Sequence, residues 1–113
     1  MTALDAVQRQ FDAYNARDIE AFMSAFSDSI AMFELGGHSP IASGREAVRA
    51  RYVDLFARSP NLRAHLVSRM ALGGTVVDHE RIEGRLGSSE PLELIMVYEV
   101  RDGLIQRSHI IRG

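Results

Sequence analysis

Apolar residues Leu4, Val7, Phe11 and Tyr14 recur at helical spacing, with Gln8, Arg9 and Asp12 between them, the pattern of an amphipathic helix with one face on a core. Asn15-Ala16-Arg17-Asp18 interrupts it. Asp18 is placed to cap a second, shorter helix whose Ile19, Phe22, Met23 and Phe26 share a face. Ser27-Asp28-Ser29 reads as a stop, Ile30 to Leu35 as a short strand, and Gly36-Gly37-His38-Ser39-Pro40 as a stretch that cannot comfortably continue regular structure. Ser43 and Glu46 have capping-box spacing, which predicts a third helix carrying Val48, Tyr52, Leu55 and Phe56 on one stripe and ending before Pro60.

Beyond Pro60 the period changes from that of a helix to that of a strand. Leu62, Ala64, Leu66, Ser68, Met70 and Leu72 alternate with Arg63, His65, Val67 and Arg69, predicting a long half-buried strand. Gly73-Gly74 turns the chain into a strand over Thr75 to Leu86. A loop over residues 87–91 follows, and Asp102-Gly103 forms a tight turn between strands at Leu92 to Arg101 and Leu104 to Arg112. The predicted order is helix-helix-strand-helix followed by a four-stranded antiparallel meander, an α+β arrangement. Strands that span about 33 Å per ten residues must share one core with three helices, so the helices are expected to cover one face of a strongly curved, cone-shaped sheet. Such a sheet leaves an open pocket at its end.

Composition narrows the function classes. The 113 residues suit one domain over 1–113, and 46% hydrophobic with 25% charged residues is an ordinary globular balance. Thirteen basic and fifteen acidic residues give a net charge of -2 without a run of like charges, which speaks against a nucleic-acid partner. With no cysteine there are no disulfides, thiolate nucleophiles or Cys-ligated metals. The longest apolar run, Leu94 to Tyr98, is far too short to span a membrane. The expected setting is cytoplasmic, with no membrane partner.

Three segments carry a resemblance that runs along the whole chain in order: FDAYNARDIEAFMSAFSDSI, SGREAV opening the third helix, and VYEVRDGLIQRSHI as the closing hairpin. Together they resemble the nuclear transport factor 2-like superfamily, which includes SnoaL-like cyclases, ketosteroid isomerases and limonene epoxide hydrolases. The resemblance implies a cone-shaped fold with a pocket for a small apolar or amphipathic molecule. That fold hosts isomerases, hydrolases, cyclases and non-catalytic carriers alike. Comparison with the isomerases puts Glu34 where they carry a carboxylate base, while Gln10 and Met96 stand where their oxyanion donors would be. Comparison with the epoxide hydrolases matches HERIEG to their Arg-x-acid strand, which implies that Arg81 and Glu83 orient a water. The second carboxylate of those enzymes falls near Ile110.

The candidate catalytic residues are therefore Glu34, Arg81 and Glu83. Glu34 lies among Ile30, Met32 and other apolar residues, where desolvation would suit it to proton transfer. Arg81 and Glu83 share strand parity with His79 and Val77, whereas Asp78, Glu80 and Ile82 take the other face. An outward salt-bridge ladder is the alternative reading of Arg81 and Glu83. Tyr14, Tyr52, His79, Met96, Tyr98 and Ile110 are the candidate ligand contacts, the tyrosines by their hydroxyls and Met96 by its adaptable thioether. The four histidines are scattered without the spacing of a metal site, so neither a metal nor an organic cofactor is expected. Val67, Ile95 and Val97 occupy the strand parity opposite the core, which suggests pairing with a second copy as a homodimer. The functional expectation is a domain that binds a small hydrophobic molecule and isomerises, cyclises or hydrolyses it by general acid/base chemistry; the alternative is a non-catalytic binding or dimerisation module.

Overall fold

The computed structural model describes residues 2–113. Helix α1 (Ala3–Ala16) opens with a reciprocal capping box: the Thr2 hydroxyl accepts from the Asp5 amide at 3.1 Å, and the Asp5 carboxylate accepts from the Thr2 amide at 3.0 Å. Arg17, in the left-handed region at φ 52°, ends it. Asp18 then caps α2 (Ile19–Met23), accepting from the Ala21 amide at 3.1 Å.

Helix α2 is shorter than its apolar stripe suggests, because Phe26 begins strand β1 (Phe26–Glu34). Ser27, Asp28 and Ser29 are strand, not a stop. Parallel pairing with the last strand captures them: Phe26 is in register with Ile105, and the Ile105 amide donates to the Ala25 carbonyl at 2.8 Å. A two-residue strand, β2 (Ala42–Ser43), adds to the free edge of β1.

Helix α3 (Arg45–Ala57) starts at Gly44, whose φ of 87° takes the chain directly from β2 into the helix with no side-chain cap. The expected capping box of Ser43 and Glu46 does not form, because Ser43 belongs to β2. Its place as anchor is taken by Arg45, which donates to the carbonyls of Met23 at 3.0 Å and Phe26 at 2.7 Å.

The meander follows as β3 (Arg63–Leu72), β4 (Thr75–Glu83), β5 (Leu92–Arg101) and β6 (Leu104–Arg112), with a 3₁₀ turn at Arg85–Gly87 where the sequence pattern predicts strand as far as Leu86. The sheet order is β2-β1-β6-β5-β4-β3, antiparallel throughout except for β1 beside β6. It is an open, mixed, six-stranded sheet in an α+β, cone-like fold, with the helices against its inner face. Phe22, Phe26, Ile30, Val48, Val76 and Ile105 are fully buried there, each contributing about 1.5–3 kcal/mol by leaving water. Tyr14, Phe22, Tyr52 and Phe56 form an aromatic cluster with centroids 4.5–6.4 Å apart.

One irregularity decides which side chains reach that inner face. Between Leu66 and Ser68 the register of β3 against β4 slips at a β-bulge, and an extra residue reverses the facing of everything after it. Ala64 and Leu66 oppose the inward Ile82 and Glu80 as simple alternation requires, but beyond the bulge Arg69 opposes the inward Asp78. Met70 and Leu72, which alternation assigned to the core, are 70% and 86% exposed.

Candidate functional site

The inner face of the sheet presents its side chains in rows set by strand register. One row runs Leu66, Glu80, Leu94, Arg112; the next runs Arg69, Asp78, Met96, Ile110, Glu34; a third runs Val76, Tyr98, Ser108, Met32. Above these rows α1 contributes Gln10, Phe11 and Tyr14, and α3 contributes Arg51, Tyr52 and Leu55, with Arg58 just past its end. Between the helices and the sheet lies a cavity of about 280 Å³, lined mainly by apolar and aromatic groups, with Arg85 and Leu86 of the 3₁₀ turn also on its wall.

The chemistry at the cavity centres on two carboxylates of β4, Glu80 on its wall and the neighbouring Asp78, which does not line it. Asp78 is fully buried, and the guanidinium of Arg69 binds both its oxygens, Nε to Oδ1 at 2.6 Å and Nη2 to Oδ2 at 2.8 Å. Arg69 is itself held by a third bond, from Nη1 to Gln8 Oε1 at 2.6 Å, and lies 6.0 Å from the Phe11 ring centroid. Glu80, two residues along and 5% exposed, has no such clasp. Among the described residues its Oε2 is the one buried side-chain oxygen or nitrogen without a hydrogen-bond partner. Burial, reinforced by the charge of Asp78 and only partly opposed by Arg69, pushes the Glu80 carboxyl up to about 8.

Three tyrosines share this environment. Burial raises the phenols of Tyr14, Tyr52 and Tyr98 above their ordinary range, and Glu80 adds to the rise in all three. They therefore remain neutral hydrogen-bond donors at any physiological pH.

The sequence-derived candidates divide by strand parity. Tyr14, Tyr52, Met96, Tyr98 and Ile110 all line the cavity. Glu34 has inward parity but lies at the mouth, exposed, with its Oε1 accepting from Arg112 at 2.6 Å. Arg81, Glu83 and His79 occupy the outer face of the sheet, away from the cavity lining, because β4 turns Val76, Asp78, Glu80 and Ile82 inward. Outside, they form a ladder: Arg81 to Glu83 at 2.8 Å, His65 to Glu83 at 3.2 Å, and His79 to Glu93 at 2.5 Å. His109 is on the same outer face, 2.7 Å from Glu99 and stacked on Phe33.

Glu80, Asp78 and Arg69 were missed as site residues. A signal existed for the first two, since they share parity with Val76 and Ile82, the strand's most deeply buried apolar residues. For Arg69 the signal is weaker, because its facing depends on the bulge, marked only by the adjacent apolar pair Leu66-Val67.

The fold has many counterparts among solved structures. An uncharacterised cystatin-fold protein from Novosphingobium aromaticivorans is 24% identical, with 99% of each chain covered and a TM-score of 0.90. A candidate ketosteroid isomerase from Kribbella flavida is 17% identical over 98% of this chain and 77% of its own, with a TM-score of 0.82. A candidate polyketide cyclase from Sinorhizobium meliloti is 20% identical over 98% of this chain and all of its own, with a TM-score of 0.78. At these identities the likeness is one of fold. No curated protein matches the chain. The SnoaL-like domain model matches residues 7–108, nearly the whole length, and the chain thus belongs to the SnoaL-like domain family within the nuclear transport factor 2-like fold.

Proposed function

We propose that the chain binds a small amphipathic molecule in the cavity between its helices and sheet and moves a proton on it, with Glu80 as the acid/base group. The observation that carries this reading is Glu80, a carboxylate side chain on the cavity wall whose Oε2 is buried without a hydrogen-bond partner. An unsatisfied carboxyl oxygen in a core costs about 1–3 kcal/mol, and a cavity that admits a ligand gives it a partner. A carboxyl that titrates near 8 is also well matched to proton transfer at neutral pH. The neutral phenols of Tyr14, Tyr52 and Tyr98 supply donors for an oxygen on which negative charge develops. Asp78 is neutralised by Arg69 and serves to raise Glu80 rather than to react.

This chemistry suits an isomerisation or cyclisation that begins with proton removal beside a carbonyl. In its ionised form, the minor one at neutral pH and the major one above about 8, Glu80 takes the carbon-bound proton, the bond's electron pair moves to the carbonyl oxygen, and a tyrosine hydroxyl donates a hydrogen bond to that oxygen. A direct test follows the exchange of the α-hydrogens of 2-tetralone in deuterated buffer by NMR. The wild type should accelerate exchange over buffer and Glu80→Gln should abolish the acceleration. Equal exchange with both proteins would remove the catalytic part of the reading and leave a binding domain.

We also propose that two copies pair through the outer sheet face. Val67 and Met70 are 56% and 70% exposed there, beside the half-buried Val77, Ile95 and Val97, a patch of the kind that association covers.

A further inference from the structure

The wall of the cavity carries four arginines: Arg51 from α3, Arg58 at the C-cap of that helix, Arg85 from the 3₁₀ turn and Arg112 from β6. Two of them are compensated. Arg58 pairs with Asp54 of the last turn of α3 at 3.1 Å, and Arg112 pairs with Glu34 at 2.6 Å. Among the described residues Arg51 and Arg85 have no carboxylate within ion-pair distance. The two come from different elements, α3 and the turn after β4, yet both line the one cavity. Both charges also bear on the buried Tyr52 hydroxyl. Deeper in, Asp78 is neutralised by Arg69 and Glu80 is protonated below about 8, so the cavity holds two uncompensated positive charges over an apolar floor.

From this arrangement we infer that the ligand is an amphipathic carboxylate, its apolar body against Leu94, Met96 and Ile110 and its carboxylate held between Arg51 and Arg85. The inference rests on the cavity being a ligand site, and adds to it the chemical class of the ligand. A guanidinium offers paired N–H donors in a fork that matches a carboxylate, and an anion drawn to the rim leaves the interior to the uncharged part of the molecule. The 3₁₀ turn that carries Arg85 is anchored for this purpose, since the Leu86 amide donates to the fully buried Ser59 hydroxyl at 2.8 Å.

The test compares acids with their alcohol counterparts of nearly the same shape: 2-naphthoate against 2-naphthalenemethanol, and octanoate against octanol. Affinities are measured calorimetrically at about pH 6.5, where the acids are ionised and Glu80 is protonated. Each acid should bind roughly tenfold to a hundredfold more tightly than its alcohol, the range for a charge-assisted contact. In the Arg51→Gln/Arg85→Gln double variant that preference should vanish while alcohol affinity changes by less than about twofold. Retained alcohol binding also reports that the variant is folded. Arg63→Gln, which removes a charge from exposed β3 outside the cavity, should keep the preference. If acid and alcohol bind equally and the double variant changes neither, the carboxylate inference is overturned and the cavity reading stands. Binding of no member of either pair overturns both.

Discussion

Arg69 grips both oxygens of Asp78 at 2.6 and 2.8 Å, and its full engagement there leaves Glu80, on the same strand face, without a partner. This division of roles between two carboxylates of one strand is set by the bulge at Leu66/Ser68, which turns Arg69 inward opposite Asp78 rather than outward. The protein thus holds one carboxylate clasped by a guanidinium and its neighbour desolvated, with its carboxyl pushed up to about 8.

Stability should record that arrangement through its pH dependence. The folded value of Glu80, about 8, lies above the ordinary 4.5. Between those values the unfolded chain has released a proton that the folded chain keeps, so the contribution of Glu80 to stability is greatest below the ordinary value and falls as pH rises toward the folded one. Glu80→Gln should raise Tm relative to wild type, with a small difference at about pH 4 and a larger one at about pH 8. Calorimetric melts across that range check it; a constant offset would contradict it.

Breaking the pair should be severe. Arg69→Met leaves Asp78 buried and uncompensated, a change that typically costs about 3–5 kcal/mol. The double variant Arg69→Met/Asp78→Leu removes the stranded charge and should recover much of that loss. Urea unfolding of the three proteins measures the difference, and a double variant no more stable than Arg69→Met would refute the account of the pair.

Gly84 fixes where β4 ends and Arg85 begins. Its φ is 73°, and a Cβ there would lie 2.3 Å from the Asn61 carbonyl oxygen. Gly84→Ala is expected to destabilise by at least about 2 kcal/mol, visible as a lowered urea midpoint. Gly87, whose Cβ would meet nothing within 4 Å, should tolerate the same change better, at the strain of its positive φ alone.

For the outer sheet face, sedimentation equilibrium should give a dimer, and Val97→Lys should shift it toward monomer with the far-ultraviolet circular dichroism unchanged. A wild type that is monomeric at tens of micromolar would remove the proposal, since a face of this kind is expected to associate in that range.

Much of the fold was legible because it rests on local chemistry: the stripe of Val7, Phe11 and Tyr14, the Asp18 cap, the Gly73-Gly74 and Asp102-Gly103 turns. The parallel union of β1 with β6 was not, since it joins residues as far apart as Phe26 and Ile105 and no local pattern encodes it. The candidate site was legible in its apolar part, Tyr14, Tyr52, Met96, Tyr98 and Ile110, which follow the core periodicity. Of its polar part, Arg81, Glu83 and His79 were read on the wrong face, and Glu34 on the right face but in the interior rather than exposed. In β4 charged residues occur at both parities, and only burial of Val76 and Ile82 separates Glu80 from Arg81. In β3 the bulge changes parity, and its trace in the sequence is slight: the adjacent apolar pair Leu66-Val67 followed by the polar pair Ser68-Arg69.

The central claim, that Glu80 is a protonated carboxylic acid on the cavity wall at neutral pH, is tested most directly by its side-chain ¹³C chemical shift. The protein would be labelled at glutamate carboxyl carbons, with Glu80→Gln assigning the resonance, and followed from about pH 4 to about pH 10. The account predicts a midpoint near 8, with the shift of the protonated form still dominant at about pH 7. A midpoint near the ordinary 4.5 would show an ionised, solvated Glu80 and contradict the account.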